Sequence, residues 1–180
     1  MFYLFNIFST IIICLHGDLM FDNVSTIAYT TNLNLFIIIY TSLSAIGFAY
    51  KTFSIYKLIP NKYVLFTTSL TAIIMIIGSF LPYAPNGEDI ISKLHVYASM
   101  ICCISFLVHL FVFTKKLSIY YYEIYVKVHY IFDLGLQFLI LCMLLFTRVN
   151  GYLEIIYSLL VCIYLYNIEK QIILLSKNSS

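Results

Sequence analysis

Long apolar stretches alternate with short polar segments along the whole chain. A helix needs roughly 20 mostly apolar residues to cross about 30 Å of hydrocarbon, where it satisfies its own backbone hydrogen bonds. The polar–apolar alternation of transmembrane β-barrel strands is missing from stretches such as residues 72–77. The pattern therefore predicts an all-α, polytopic six-helix membrane bundle, with spans at about residues 1–16, 33–50, 63–81, 94–114, 125–147 and 152–168.

The segments at the ends of these stretches indicate where each helix stops. Residues 1–16 lack the basic start and the small-residue cleavage site of a signal peptide, so we interpret them as a first span. The third stretch ends at Pro82 and Pro85, next to the turn signal Asn86-Gly87. No internal repeat or long linker divides the sequence, and we predict a single transmembrane domain over residues 1–180.

Composition supports a lipid environment and excludes some functions. The chain is 62% hydrophobic, 18% aromatic and 10% charged, with a mean hydropathy of +0.97. Soluble domains carry about 25% charged residues, so this chain is not an ordinary soluble domain. A formal net charge of +2, dispersed along the sequence, is too small for a phosphate-binding surface, and we expect no nucleic-acid partner. All five cysteines lie in apolar stretches, which favours packing over disulfides or metal ligation.

Basic residues are distributed unevenly between the two sides that six spans would create. Lys and Arg in short loops stay on the cytoplasmic side of a membrane. One side collects eight basic residues: Lys51, Lys57, Lys62, Lys115, Lys116, Lys127, Lys170 and Lys177. The other side has only Lys93 and Arg148. We therefore predict that both termini are cytoplasmic and that the protein is a multi-pass component of the cytoplasmic (plasma) membrane.

Ionisable groups at membrane depth are costly and are functional candidates by default. On the fifth predicted span, His129, Asp133 and Gln137 are spaced by four and share one helical face. His109, at a similar depth on the fourth span, completes the predicted inner group. Asp133 could lock two helices in register through a histidine, relay protons or ions, or bind a ligand or metal. Glu154 and Arg148 are expected at the outer interface, in structural roles.

The histidine spacing also raises a haem alternative. His95 and His109 are fourteen residues apart, about 21 Å along a helix, which is typical of two stacked haems in membrane cytochromes b. Their partners would be His16 on the outer side and His129 on the inner side. The main prediction is no cofactor, with haem b as the alternative. No HExxH-like spacing supports zinc chemistry.

A short motif resembles a known family. Gly78-Ser79-Phe80-Leu81-Pro82, followed after an outer loop by Leu94-His95-Val96-Tyr97-Ala98, resembles the G-x-F-P…H-x-x-A pattern of bacterial six-span membrane proteins of unknown function. That group is distantly similar to the DRAM/Sfk-type membrane proteins. Val24-Ser25-Thr26-Ile27-Ala28 is similar to their first outer-loop motif, without its customary acidic residue and glycine. The resemblance implies six helices with both ends inside and an outward-facing group of Ser25, Pro82 and His95. It implies no particular reaction.

These observations favour a non-enzymatic role. We expect a binding, accessory or transport-related membrane protein that holds a lipid or another amphipathic molecule, or that stabilises a partner complex. Membrane lipids, a membrane-protein partner and a second copy of the chain are the expected partners. A b-type haem redox protein and a proton-coupled carrier using Asp133 are the alternatives. The absence of an inverted repeat and of a mid-span Gly or Pro break argues against the carrier.

Overall fold

Helices make up most of the protein, as the apolar pattern predicts. A computed structural model describes residues 1–84 and 89–178. Its seven helices are α1 (Phe2–Cys14), α2 (Val24–Thr30), α3 (Asn34–Tyr56), α4 (Lys62–Phe80), α5 (Ile90–Tyr120), α6 (Tyr122–Phe146) and α7 (Gly151–Asn178). The described residues contain no strand, and the all-α prediction is confirmed. The turn predicted at Asn86-Gly87 lies outside the described residues.

Five of the helices, α3 to α7, are long and apolar enough to cross a membrane. They indicate a membrane-embedded protein. The first predicted span forms α1, but this apolar helix has 13 residues, fewer than the roughly 20 that a span needs. Six spans and the orientation of the termini therefore remain predictions. The short helix α2 was not predicted, and α5 and α7 extend beyond the apolar stretches that revealed them.

Side-chain caps fix several helix starts. Asn23 accepts a hydrogen bond from the Thr26 amide at the start of α2, and Asp89 accepts one from the Ser92 amide at the start of α5. These caps occupy backbone donors that have no partner within the helix. At the other end of α6, Thr147 adopts the left-handed conformation, with φ 56°, and ends the helix. Local polar residues therefore set boundaries that apolar length alone does not.

Short connections make α3 to α7 alternate in direction. Residues 57–61 join α3 to α4, a single residue joins α5 to α6, and residues 147–150 join α6 to α7. We call the end of the bundle that carries residues 15–33, 81–84 and 147–150 the loop end. The opposite end, which carries both chain termini, is the termini end. Helix α1 lies antiparallel to α7, since Tyr3 packs near Tyr166 while Cys14 lies beside Gly151.

A cluster of aromatic and aliphatic side chains fills the termini end. The Tyr56 and Phe113 ring centroids are 4.8 Å apart, and those of Phe132 and Tyr164 are 4.9 Å apart. The Tyr164 hydroxyl also hydrogen-bonds to Thr114. We call the whole group the termini core; its buried members are Ile55, Tyr56, Ile59, Val64, Phe106, Leu110, Phe113, Leu117, Ile124, Val128, Phe132, Val161, Tyr164, Leu165 and Ile168. It joins all five long helices.

The helices approach closely where glycine removes a side chain. A Cβ placed on Gly135 of α6 would lie 2.3 Å from Cδ1 of Leu160 on α7. Leu160 is itself buried, so its side chain has little room to move away. Small residues at such crossings let membrane helices pack closely.

We expect Gly135→Ala to lower the free energy of unfolding by about 1–2 kcal/mol. Overpacking costs roughly 1–3 kcal/mol, while the better helix propensity of alanine offsets up to about 1. Thermal and denaturant unfolding in detergent would measure the change. Gly78→Ala is the matched control, because its Cβ would meet Ala98 Cβ at 3.3 Å and so clash far less. Equal stability of the two variants would contradict the tight α6–α7 contact.

Candidate functional site

The loop-end half of the bundle contains a cavity of about 700 Å³. Its lining on α3 runs from Asn34 to Ala49, about 22 Å along a helix at 1.5 Å per residue. Phe48 and Phe106, whose ring centroids are 5.6 Å apart, line its deep end where the termini core begins. Most of the lining is apolar. Ligand sites typically have about 300–1,000 Å³ and a mainly apolar lining with a few convergent polar groups.

Ser25 and His95 meet in the cavity lining near the loop end. The Ser25 Oγ to His95 Nε2 distance is 2.8 Å. His95 Nδ1 lies 2.9 Å from the carbonyl oxygen of Gly78 and 3.2 Å from that of Leu81. Carbonyl oxygens only accept, so Nδ1 carries the proton in the neutral ring and Nε2 accepts from the serine hydroxyl. His95 is buried and Ser25 is half-buried.

Pro82 explains why these carbonyl groups are available. The residue before a proline avoids the helical conformation, and Leu81 is extended at φ −72° and ψ 129°. Helix α4 therefore ends at Phe80, which leaves carbonyl groups in its last turn without a complete set of helical partners. His95 donates to that exposed end. The structure thus brings together Ser25, Pro82 and His95, the three residues of the outer group, and all three line the cavity.

Glu154 is a second polar group of the lining, on α7. Its Oε2 accepts a hydrogen bond from the Val24 amide at 2.8 Å, which ties α7 to the first residue of α2. Oε1 makes no hydrogen bond with any described residue. Glu154 therefore lies near the loop end of α7 and links two helices, while its expected position at a membrane interface stays a prediction. Arg148 does lie at the loop end, with its guanidinium 4.5 Å from the Phe21 ring centroid.

Deeper in the cavity, three polar side chains are buried without a hydrogen-bond partner. They are the Asn6 amide nitrogen, the Ser44 hydroxyl and the Thr68 hydroxyl, on α1, α3 and α4. Buried polar atoms of this kind normally have a protein, water or ligand partner. Nearby, Thr10 hydrogen-bonds to the Tyr40 hydroxyl at 2.6 Å. The polar residues in the deep part of the cavity lining therefore come from α1, α3 and α4.

The lining contains two carboxyl groups. Asp89 and Glu154 are the acidic side chains among the described lining residues, which include no lysine or arginine. The Ser92 hydroxyl donates to Asp89 and, together with the Ser92 amide, holds the pKa of that carboxyl below its ordinary value. Asp89 is exposed and stays ionised at neutral pH. An anionic ligand group would thus meet no lysine or arginine in the described lining.

The predicted inner group is not assembled in the same way. His109 Nε2 lies 2.8 Å from Thr67 Oγ1, so this ring faces α4 rather than α6. His129 packs on Tyr125, with its Nδ1 2.9 Å from the Tyr125 carbonyl oxygen. Asp133 is half-buried and makes no hydrogen bond or ion pair with another described residue, and Gln137 is exposed. A shared role for these four residues stays a prediction.

The histidines of the haem alternative are likewise engaged separately. His16 is exposed, and its Nδ1 lies 2.8 Å from the Ile12 carbonyl oxygen. An axial haem ligand needs a free imidazole nitrogen, and His95 uses both of its ring nitrogens in hydrogen bonds. His109 uses Nε2 and keeps Nδ1 without a partner. Within residues 1–84 and 89–178, no three His, Cys, Asp or Glu side chains are arranged to hold a metal ion. The haem alternative gains no support from this geometry and stays a prediction.

Two parts of the site could not be predicted from the pattern of residues along the chain. Ser25 and His95 are 70 positions apart, and only the family resemblance grouped them. Glu154 follows the start of the last apolar stretch, so its position in the sequence suggests an interface rather than a cavity wall. Both depend on α2, a seven-residue helix with too little length to show a clear period.

No protein-family model, curated protein or solved structure matches the chain. The geometry of the cavity and its polar groups therefore carries the functional argument.

We expect Glu154→Ala to loosen α2, because the Val24 amide loses its acceptor. A buried donor without a partner costs about 1–3 kcal/mol. Hydrogen exchange of residues 24–30, with thermal unfolding in detergent, would show faster exchange and lower stability. Glu154→Gln is the matched control, since its amide oxygen can still accept. If alanine and glutamine behave alike, the Glu154 link does not hold α2.

Proposed function

We propose that the protein is a multi-pass membrane protein that binds a lipid-like amphipathic molecule in the loop-end cavity. The cavity itself, about 700 Å³ with a mainly apolar lining and polar groups near the loop end, carries this proposal. An acyl chain fits the apolar depth, and a polar head fits beside Ser25, His95 and Glu154.

The acidic side chains of the lining restrict the charge of the ligand's head group. Opposite charges attract strongly away from water, and an unpaired anion beside a carboxylate is costly. Since the described lining has two carboxyl groups, Asp89 and Glu154, and no lysine or arginine, a neutral, zwitterionic or cationic head is favoured over an anionic one. Membrane lipids also contact the outer surface, where side chains such as Leu35, Leu144 and Leu145 are each at least 70% exposed.

The charge distribution supports an orientation. The eight lysines on the predicted inner side belong to the parts of α3 to α7 nearest the termini end, or to the short connections there. The loop end has Lys93 and Arg148. By the positive-inside rule, the termini end faces the cytoplasm and the loop end, which carries the cavity, faces the outer side of the plasma membrane. A partner complex or a second copy of the chain would bind through the exposed helix faces.

Cavity filling tests the binding proposal. We expect Ala45→Phe, which places a ring in the cavity lining, to reduce co-purified lipid about tenfold, equivalent to about 1.4 kcal/mol. Native mass spectrometry and lipid extraction of protein in mild detergent would measure lipid per chain.

Ile46→Phe is the matched control, because Ile46 is the next residue of α3, is 56% exposed and does not line the cavity. It should retain the lipid of the unmodified protein. Equal lipid content in both variants, with both folded, would show that the bound lipid lies elsewhere.

Cysteine labelling tests the orientation. We expect a membrane-impermeant maleimide added to intact cells to label Asn32→Cys, near the loop end, and not Lys57→Cys, at the termini end. Both positions are exposed, and the native cysteines lie within helices. Permeabilised cells, in which both variants should react, are the control. Labelling of Lys57→Cys alone in intact cells would reverse the proposed orientation.

A further inference from the structure

The hydrogen bond between Ser25 and His95 has the geometry of a nucleophile and its general base. Their 2.8 Å contact lies within the range of such pairs, and His95 is oriented by a third group, the carbonyl oxygens of Gly78 and Leu81. With Nδ1–H donated to the carbonyl groups, Nε2 of the neutral ring is the acceptor that faces the serine hydroxyl. This is the tautomer that a general base requires.

A second hydroxyl–histidine contact in the protein provides a comparison. Thr67 Oγ1 and His109 Nε2 are also 2.8 Å apart, but the Nδ1 atom of His109 is buried and has no partner. Neither residue lines the cavity, whereas Ser25 and His95 both do. Only the Ser25–His95 pair, within the described chain, combines an oriented ring with a space beside the hydroxyl where a reacting carbon can lie.

We propose that Ser25 and His95 form a catalytic pair that cleaves a long-chain carboxylic ester held in the cavity. The proposal rests on the proposed function for its substrate, and it replaces the expected non-enzymatic role. Serine reacts as a nucleophile when an adjacent base removes its proton. The apolar depth of the cavity receives the acyl chain, and the acidic lining favours an ester whose alcohol part is neutral, zwitterionic or cationic.

The reaction needs only the ester and water. Ser25 Oγ attacks the ester carbonyl carbon as its proton moves to His95 Nε2. The carbon–oxygen bond to the alcohol then breaks, and the leaving oxygen takes that proton from Nε2, so the alcohol departs and the acyl group stays on Ser25. A water molecule next attacks the acyl carbon and gives a proton to Nε2. The bond to Ser25 breaks, Oγ recovers the proton, and a carboxylic acid is released.

The carbonyl groups that orient His95 predict a low rate of ester cleavage. Backbone carbonyl oxygens accept the Nδ1–H bond, as a triad carboxylate does, but they carry only a partial negative charge. They stabilise the charged imidazolium less than a carboxylate would. Slow turnover is therefore expected, and covalent capture of Ser25 is a more sensitive readout than product release.

A dodecyl fluorophosphonate tests the pair in the full-length protein in lipid nanodiscs. The activated serine oxygen forms a bond to phosphorus as fluoride leaves, and peptide mass spectrometry locates the modified residue. We expect modification of Ser25. Ser25→Ala should remove it, and His95→Gln should slow it by at least about 100-fold, since general-base assistance contributes roughly that much or more. Dodecanoate release from its p-nitrophenyl ester should fall in parallel.

Ser69→Ala is the matched control, because Ser69 bonds to Leu65 of its own helix and does not line the cavity. It should react like the unmodified protein. Mapping the modified residue in the unmodified protein requires no variant, so a folding defect cannot obscure the result. Absence of modification at Ser25, with lipid still bound, would overturn the catalytic pair and leave the binding function intact. Modification at Ser25 in protein that never retains lipid would support the pair and contradict the binding function.

Discussion

Aromatic packing at the termini end holds the long helices together, and the form of the rest of the protein depends on it. Tyr56, Phe113, Phe132 and Tyr164 come from α3, α5, α6 and α7, and their rings contact in pairs. Lipid chains are as apolar as these side chains, so close packing and polar bonds must drive helix association. The Tyr56 hydroxyl supplies one such bond to the His109 carbonyl oxygen, at 3.0 Å. Because one half of the bundle is fixed in this way, the other half can enclose a cavity.

The loop end is organised by hydrogen bonds between distant parts of the chain rather than by ring packing. The Gly151 amide donates to the Asp22 carbonyl oxygen at 2.7 Å, and the Asn150 side chain donates to the Met20 carbonyl oxygen at 3.2 Å. Glu154 continues the same contact onto α2. These bonds join the segment after α1 to the start of α7. They place α2 in the cavity lining, and with it Ser25 next to His95.

The sequence predicts the helices much better than it predicts the site. Runs of apolar residues reveal α3 to α7 because a membrane span has a required length, and lipid leaves few alternatives for the backbone. Helix ends are less predictable, since Lys115 and Lys116 stop the apolar pattern without stopping α5, which runs on to Tyr120. The sequence does not predict helix α2, because seven residues are too few to show a hydrophobic period. The Asn23 cap and the distant Glu154 carboxylate hold this helix instead.

Residue types alone also do not show which polar groups meet. Spacing by four places His129, Asp133 and Gln137 on one face of α6, but it cannot show that His109 rotates toward Thr67 on α4. The Ser25–His95 contact depends on three segments at once: α2, the second turn of α5 and the end of α4. Of these three segments, only the end of α4 has a clear signal in the local sequence, which is Pro82.

A hydrogen bond that only connected α2 to α5 would need neither an oriented imidazole ring nor a cavity beside it. Such a link requires one donor and one acceptor, and solid packing around it would make it stronger. In the structure Ser25 and His95 instead line a cavity, and the opposite side of the His95 ring is fixed on two carbonyl oxygens. Fixing Nδ1 matters for the ring's tautomer, and therefore for which atom can accept a proton. An open space beside the Ser25 hydroxyl has a use only if another molecule approaches that hydroxyl. Together these features favour a reactive pair over a structural link.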